Sequence, residues 1–284
     1  MQRYPQRQII RVDGHRVGLR YWPGEGQPLV LLHGFLDSSE GWDGLCKTTT
    51  RPCYALDIPG FGRSEVPQQP CMDFYAERLA KAVKSLQLED ATWVGHSMGG
   101  AIARRVADGP YQDLVSSLSL ITPAGFGRIP LAQWADGPVN RKILTAAFPL
   151  LSINPLAVIL AYPFQVSGGK QADGDMILRT MRQALRGPQG PSWAVQALAS
   201  MTGAPEYELL ERSSYTGPVR SLWGTRDRLI PAAHSKNLHQ VFPQARITVW
   251  PDLAHHPQVE QPLRLRKWIS MSKSNNSARP LQAA

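Results

Sequence analysis

The stretch Trp93-Val-Gly-His-Ser97-Met-Gly-Gly-Ala101 joins a short strand-like run to a segment with helical spacing of apolar residues. It contains Gly95-x-Ser97-x-Gly99, so the serine stands between glycines at a predicted strand-to-helix turn. A turn this sharp brings neighbouring backbone very close, and residues without Cβ are needed around the serine. The Ser97 hydroxyl is then held exposed at a helix N-terminus that favours negative charge. An ordinary Gly-rich turn can have the same sequence, so a catalytic role for Ser97 depends on finding partner residues elsewhere in the chain.

Short apolar runs that end in turn or polar residues recur along the chain, and each predicts a β-strand. They occupy residues 29–32, 53–56, 91–94, 118–121, 219–223 and 246–250. Two further runs, 9–11 and 16–21, flank Asp13-Gly14 and predict a leading hairpin with a tight turn. Helical spacing of apolar residues occurs at 74–88, 98–107, 232–242 and 257–269. The alternation predicts an α/β fold with a mostly parallel central sheet flanked by helices.

The regular alternation fails between Thr122 and Gly217, where Gly and Pro punctuate apolar helical pieces and no strand is evident. We therefore expect an inserted helical cap, or lid, that divides the core of the fold into two parts. The expected parts are core residues 1–122, cap residues 123–216, core residues 217–270 and a disordered polar tail at 271–284. The most apolar stretch, 146–164, is broken by three prolines and predicts short helices rather than a membrane span.

Two polar residues follow strands late in the chain and could act on the serine. A serine hydroxyl is a weak nucleophile at neutral pH and needs an adjacent base that a third group orients. Asp227 follows the predicted strand at 219–223, on a loop where its carboxylate can face the carboxyl edge of the sheet. His255 follows the strand at 246–250 and precedes the predicted terminal helix. Ser97, Asp227 and His255 therefore each follow a separate predicted strand, in that chain order.

Four local motifs together resemble the α/β-hydrolase superfamily, in which the triad follows the order Ser, Asp, His. They are His33-Gly-Phe35, Asp57-Ile-Pro-Gly-Phe-Gly-Arg-Ser64, Gly95-His-Ser-Met-Gly-Gly100, and the segment 224–231 with His255-His-Pro-Gln-Val-Glu-Gln-Pro262. The resemblance covers residues 9 to 270 and points to serine esterase-like or lipase-like members with a helical cap. One departure is Ala254, where the family usually has glycine before the histidine.

The resemblance implies a role for each matched residue. Ser97 would be the nucleophile, His255 the general base and acid, and Asp227 the residue that fixes the imidazole tautomer. The backbone N–H groups of Phe35 and Met98 would form the oxyanion hole. This chemistry requires no metal or organic cofactor. His256 competes for the base position, and we favour His255 because it matches the family's pattern.

Several other residues have competing interpretations. Asp57 and His96 are interpreted as hydrogen-bonded structural residues. His33 is interpreted chiefly as a support for the oxyanion loop, with substrate contact as a second role. Trp42, Phe126 and Trp134 are expected either to line a substrate pocket or to fill apolar core, and the sequence favours neither.

The activity that the resemblance implies is cleavage of an ester-like bond through an acyl-serine intermediate, with small to medium acyl esters as the leading substrates. Thioesters, lactones and amides use the same groups, and an alcohol in place of water would make the enzyme an acyltransferase. Ser97 argues against epoxide hydrolases and haloalkane dehalogenases, which carry an aspartate nucleophile. Carbon–carbon bond hydrolases of ring-cleavage products remain the enzymatic alternative, and a ligand-binding receptor is the alternative outside enzymes.

The charge balance is basic, with 31 Lys and Arg against 22 Asp and Glu in 284 residues, a formal net charge of +9. The basic residues are scattered and do not interleave with aromatic residues, which argues against nucleic-acid binding. We expect a small-molecule substrate with an apolar acyl or alcohol group and no stable membrane insertion. The sequence does not predict the oligomeric state. Three cysteines without a C-x-x-C pair predict free thiols, and an N-terminus without an apolar h-region predicts a cytoplasmic protein.

Overall fold

The structure is a computed structural model that describes residues 3–68, 71–88, 90–129, 137–153 and 211–271, with the single positions 179, 194, 196 and 197. Eight strands form one sheet: β1 (Gln6–Val12), β2 (His15–Trp22), β3 (Leu29–Leu32), β4 (Cys53–Leu56), β5 (Thr92–His96), β6 (Ser117–Ile121), β7 (Val219–Gly224) and β8 (Arg246–Trp250). The helices of these ranges are α1 (Asp43–Thr48), α2 (Met72–Ser85), α3 (Met98–Asp108), α4 (Pro138–Ile153), α5 (Leu238–Val241), α6 (Pro257–Glu260) and α7 (Pro262–Ser270). Short 3-10 helices cover Ser39–Trp42, Gln112–Leu114 and Ala232–Asn237.

The strands lie across the sheet in the order β1-β2-β4-β3-β5-β6-β7-β8. β2 pairs antiparallel with β1 and β4, and every other neighbouring pair is parallel. The predicted α/β fold with a mostly parallel sheet is confirmed. Each strand predicted from the sequence is present with small shifts at its ends, and the leading hairpin extends beyond its predicted length. Its turn has positive φ at both Asp13 (49°) and Gly14 (82°), as a tight two-residue hairpin requires.

The central strands are buried on both faces, because helices cover both sides of a parallel sheet. In β3, Val30 and Leu32 belong to one apolar cluster, which also contains residues of α2 and α3. Leu29 and Leu31 belong to a second cluster, which contains residues of α1 and α7. Successive side chains of a strand point to opposite faces, so a strand buried on both faces appears in the sequence as an unbroken apolar run.

Two predicted helices differ from the structure. The segment 257–269 forms two helices, α6 and α7, instead of one. The break falls at Gln261, where φ is −142° and ψ is 56°, because the ring of Pro262 disfavours helical backbone in the residue before it. The segment 232–242 begins as a 3-10 helix and becomes α-helical only at Leu238.

Polar residues of the four sequence motifs follow the carboxyl ends of the parallel strands. His33, Asp57 and Ser97 directly follow β3, β4 and β5, and the loops after β7 and β8 carry Asp227 and His255. Parallel strands end at the same edge of a sheet, and this edge is where α/β proteins place their ligand sites. The fold therefore collects at one edge residues that are far apart in the chain.

The predicted cap and tail lie largely outside the described residues. From the predicted cap, the described part consists of α4, the single positions and the segments 123–129, 137 and 211–216, and from the predicted tail it consists of Met271. The guanidinium of Arg179 lies 3.2 Å from the carboxylate of Glu40, so this position contacts the 3-10 helix after β3. Within the described ranges, we find no helix with the length and apolar character needed to cross a bilayer.

Two valines test the assignment of β5 to the centre of the sheet. Val94 in β5 is fully buried, whereas Val249 in the edge strand β8 is 45% exposed. We expect Val94→Ala to lower the free energy of unfolding by about 2 kcal/mol, because it removes buried methyl groups and leaves a cavity. Val249→Ala removes the same atoms and should cost about 0.5 kcal/mol or less. Urea unfolding followed by circular dichroism measures both losses, and equal losses would contradict the assignment.

Candidate active site

Ser97 lies in the turn between β5 and α3, with φ 51° and ψ −118°. Positive φ is strained for a residue that carries a Cβ. The neighbouring glycines leave no room for a side chain, since a Cβ on Gly95 would overlap the carbonyl oxygen of Gly99. A Cβ on Gly99 would likewise overlap the carbonyl oxygen of Leu32 at the end of β3. The close backbone approach predicted for this turn is therefore present.

The backbone of Ser97 is held by the last residue of β6 and by the chain that follows it. Its N–H donates to the carbonyl of Ile121 at 3.0 Å, and its own carbonyl accepts from the N–H of Ala124 at 3.0 Å. The residue is 7% exposed. These two hydrogen bonds oppose relaxation of the strained turn, because releasing it would leave buried backbone groups without partners.

Asp227 and His255 form a hydrogen-bonded pair on the loops after β7 and β8. His255 Nδ1 lies 2.7 Å from Asp227 Oδ2, and both side chains are almost completely buried. The other carboxylate oxygen of Asp227 accepts from the N–H groups of Leu229 (2.9 Å) and Ile230 (2.8 Å). Because a carboxylate only accepts, His255 Nδ1 carries a proton, and in the neutral form of the ring the lone pair lies on Nε2.

His96 connects the end of β5 to the loop that carries His255. Its Nε2 donates to the carbonyl oxygen of His255 at 2.7 Å, and the two ring centroids are 4.8 Å apart. Ser97 is the next residue in the chain after His96. The structure therefore brings His255 to the strand end where Ser97 lies, 158 residues away in the sequence.

The loop after β3 packs against the same turn. An added Cβ on Gly34 would lie 3.2 Å from Ser97 Cβ and 2.9 Å from His96 Nδ1, so glycine is required for this approach. Phe35 follows in this loop, and Met98 follows Ser97 at the start of α3. Within the described part of the chain, no acceptor is seen for the N–H of Phe35 or of Met98. Both N–H groups therefore remain available in the two segments that meet beside Ser97.

His33 is buried and uses both ring nitrogens within the protein. Nδ1 donates to the carbonyl of Gly34 at 2.7 Å, and Nε2 accepts from the N–H of Ile58 at 2.9 Å. The ring therefore joins the loops after β3 and β4 and has no nitrogen left for a substrate. The Asp57 carboxylate similarly accepts from the N–H groups of Ser39 (2.7 Å) and Arg63 (2.9 Å), which is a structural role.

Two of the three aromatic pocket candidates are buried in apolar clusters. Trp42 is 1% exposed and belongs to the apolar cluster that contains α7. Phe126 is fully buried, with its ring centroid 6.4 Å from those of Trp223 and Phe242. Trp134 lies outside the described residues.

Three histidine rings form a cluster at the candidate site. The ring centroids of His96 and His256 are 4.9 Å apart, and those of His255 and His256 are 5.1 Å apart. Burial lowers the pKa of His96 well below its usual value, and the neighbouring His255 and His256 lower this pKa further. Burial, with a smaller contribution from His255, also lowers the pKa of His256 well below its usual value. His96 and His256 are therefore neutral at pH 7.

One group of side chains in the described ranges has the composition of a metal site. Asp37, His96 and His256 place one possible ligand atom each within 4.8 Å of one another. Both nitrogens of His96 already take part in hydrogen bonds, with the His255 carbonyl and with Gln258 Nε2 at 3.2 Å. We therefore interpret the two histidines as members of a hydrogen-bonded network with Gln258. Sequence analysis missed Gln258, whose only signal was its place on the short helix after His255.

One edge of the mostly parallel sheet carries a strained serine turn, a buried Asp–His pair and a glycine-containing loop. This arrangement is typical of the α/β hydrolase fold. The chain belongs to the α/β hydrolase fold family, which matches residues 27–262.

The relatives differ in their named activities. The chain is 31% identical over 264 residues to the dihydrolipoyllysine-residue acetyltransferase component of the acetoin cleaving system of Pseudomonas putida, spanning 90% of this chain and 66% of that protein. It is 26% identical over 243 residues to a pimeloyl-[acyl-carrier protein] methyl ester esterase of Vibrio cholerae, spanning 84% of this chain and 91% of that protein. The structure of a thermophilic esterase from Thermogutta terrifontis, solved with malate bound, matches with a TM-score of 0.73 at 22% identity. The match covers 95% of this chain and 97% of that chain. This structural likeness shows the shared fold.

The strain at Ser97 predicts a stability difference between two substitutions. Ser97→Gly removes the Cβ that makes φ 51° unfavourable, whereas Ser97→Ala keeps it. We expect Ser97→Gly to have a free energy of unfolding about 1 kcal/mol above that of Ser97→Ala. Urea unfolding of the two variants measures the difference. A less stable Ser97→Gly would contradict the presence of strain at this turn.

The buried histidines predict a pH dependence of stability. Because the pKa values of His96 and His256 are lowered in the folded state, the unfolded chain binds more protons at mildly acid pH. Their contribution to stability is complete above about pH 6.5 and falls by about 1.4 kcal/mol per pH unit for each histidine as the pH decreases.

Urea unfolding between about pH 7 and pH 5 measures this slope. His256→Gln should remove the contribution of one histidine, and His239→Gln, at an exposed position, is the matched control that keeps the wild-type slope. The prediction fails if His256→Gln and the wild type lose stability equally over this range.

Proposed function

We propose that the protein is a serine hydrolase that cleaves a carboxylic ester, or a related thioester or lactone, through an acyl-serine intermediate. The observation that carries this proposal is the 2.7 Å hydrogen bond between Asp227 and His255, at the strand edge where Ser97 occupies its strained turn. A weak nucleophile, a base and a group that orients the base are the three parts that this chemistry needs.

In the proposed reaction, Ser97 Oγ attacks the substrate carbonyl and its proton passes to His255 Nε2. The charge that develops on the carbonyl oxygen is stabilised by the N–H groups of Phe35 and Met98. His255 then protonates the leaving alcohol, and the Ser97 ester remains. Water enters, His255 removes its proton, and the acid is released as the serine is restored.

Asp227 supports this cycle through the His255 ring. Its Oδ2 accepts a hydrogen bond from the Nδ1–H group, which leaves the lone pair of the neutral ring on Nε2, and its negative charge stabilises the imidazolium that forms. The two N–H groups of Leu229 and Ile230 on the other oxygen hold the carboxylate in this orientation.

We further propose that residues 123–216 form a cap over this edge and that the cap selects a substrate with an apolar acyl or alcohol group. The segment leaves the sheet beside the serine, since Ala124 donates to the Ser97 carbonyl. The Arg179–Glu40 ion pair links a position within the segment to the loop side of β3. The apolar stretch at 146–164 suits a surface that covers an apolar group.

Acyl transfer to an alcohol or thiol is a second candidate function. It is supported by the 31% identity to the acetyltransferase component of Pseudomonas putida, of which this chain spans 66%. The same acyl-serine intermediate serves both reactions, and they differ in which nucleophile reaches it. Capture of the acyl group by an added alcohol or thiol, at the expense of free acid, would favour transfer.

The test of the proposal combines a fluorophosphonate probe with p-nitrophenyl esters of increasing chain length. We expect the probe to label Ser97 and the esters to be hydrolysed. Ser97→Ala should lower kcat by at least about 10⁴-fold and Asp227→Asn by about 10⁴-fold, because Ser97, His255 and Asp227 act together as one catalytic unit. Asp252→Asn is the matched control, since this carboxylate is exposed on the loop that carries His255.

The outcomes separate the alternatives. Turnover that Ser97→Ala leaves unchanged would contradict the proposal. Labelling at Ser97 without ester turnover would move the assignment to a ligand-binding receptor or to a selective carbon–carbon bond hydrolase.

A further inference from the structure

The backbone around His255 is held at three points by side chains that have no place in the proposed reaction. Glu260 Oε2 accepts from the N–H of Ala254 at 3.1 Å, and Glu260 Oε1 accepts from the N–H of His256 at 2.9 Å. The carbonyl of His255 itself accepts from His96 Nε2 at 2.7 Å. The polar backbone groups on either side of the imidazole-bearing residue are thus fixed.

The Glu260 carboxylate spans His255 from one side. Its two oxygens accept from the N–H of Ala254 and from the N–H of His256, and the second N–H belongs to the same peptide as the His255 carbonyl. Glu260 is the last residue of α6, and its own N–H donates to the carbonyl of His256 at 2.8 Å. The short helix and the loop therefore form one closed hydrogen-bonded unit, and charge-assisted bonds of this type are among the stronger ones in proteins.

His96 fixes this unit relative to the serine. It is the last residue of β5, so its bond to the His255 carbonyl connects the residue next to Ser97 directly to His255. Gln258 Nε2 approaches His96 Nδ1 at 3.2 Å, which leaves the single ring proton of neutral His96 on Nε2. Since burial keeps His96 neutral, this donor is always turned toward the His255 carbonyl.

We propose that His96 and Glu260 are positioning residues that set the distance between Ser97 and His255. This inference rests on the proposed function, because it assigns His255 as the base. Proton transfer requires the two groups within hydrogen-bond reach, and a displacement of about 1 Å can cost about 10²-fold in rate. Loss of either support should therefore slow the chemical step and leave substrate binding unchanged.

The experiment compares variants that remove a bond with variants that preserve it. His96→Gln keeps an N–H donor close to the position of Nε2, whereas His96→Met has similar size and no donor. Glu260→Gln keeps one acceptor oxygen, and Glu260→Ala keeps none. His239→Gln is the control, because this histidine is exposed on α5 and belongs neither to the serine turn nor to the loop that carries His255.

We expect His96→Met and Glu260→Ala to lower kcat for a p-nitrophenyl ester by about 10- to 100-fold with KM unchanged. Fluorophosphonate labelling should slow in parallel, and His96→Gln should recover most of the loss. A wild-type kcat in His96→Met and Glu260→Ala, or a rise in KM alone, would overturn the proposal. Equal losses in His96→Gln and His96→Met would also overturn it, because they would show that His96 acts through packing and not through its hydrogen bond to the His255 carbonyl.

A second measurement distinguishes failure of this inference from failure of the proposed function. The proton on His255 Nδ1, held by Asp227, should give a downfield proton resonance, assigned by its loss in His255→Gln. We expect the resonance to persist in Ser97→Ala and His96→Gln and to shift or broaden in His96→Met and Glu260→Ala. This readout does not depend on ester turnover. An unchanged resonance in both latter variants would overturn the positioning role even in an active enzyme.

Discussion

Direct backbone contact between the start of α3 and the end of β3 is the constraint on which the rest of the site depends. Gly99 has no Cβ because the carbonyl oxygens of Leu32 and His33 occupy that space. The chain enters α3 through a turn in which Ser97 has positive φ. The loops after β3, β6 and β8 pack around this turn, and contacts of this kind hold a strained residue in place.

The fold and the principal candidate residues could be predicted from the sequence because their causes are local. Strands buried on both faces appear as short apolar runs, and a turn with no room for side chains appears as glycines around one serine. Asp227 and His255 could be placed because parallel strands share one carboxyl edge. The catalytic roles of these residues stay predictions until the serine and its partners are substituted.

Other features could not be predicted because they depend on packing between distant segments. Trp42 and Phe126 looked equally suited to a pocket or a core, and their neighbours in the apolar clusters come from β7, α5 and α7. The split between α6 and α7 had a local signal in Pro262, but the predicted helix ran through it. The partners of His96 come from the far end of the chain, so its neighbours in sequence gave no sign of the bond to His255.

The bond between His96 and His255 joins residues 159 positions apart, so the ribosome makes the two residues at different times. A chain synthesised from its N-terminus produces the serine turn before the strands that precede Asp227 and His255. A serine without its base is a weak nucleophile. On the proposed chemistry, a chain without β7 and β8 in place is therefore a poor nucleophile toward esters, and reactivity begins only when these two strands have joined the sheet.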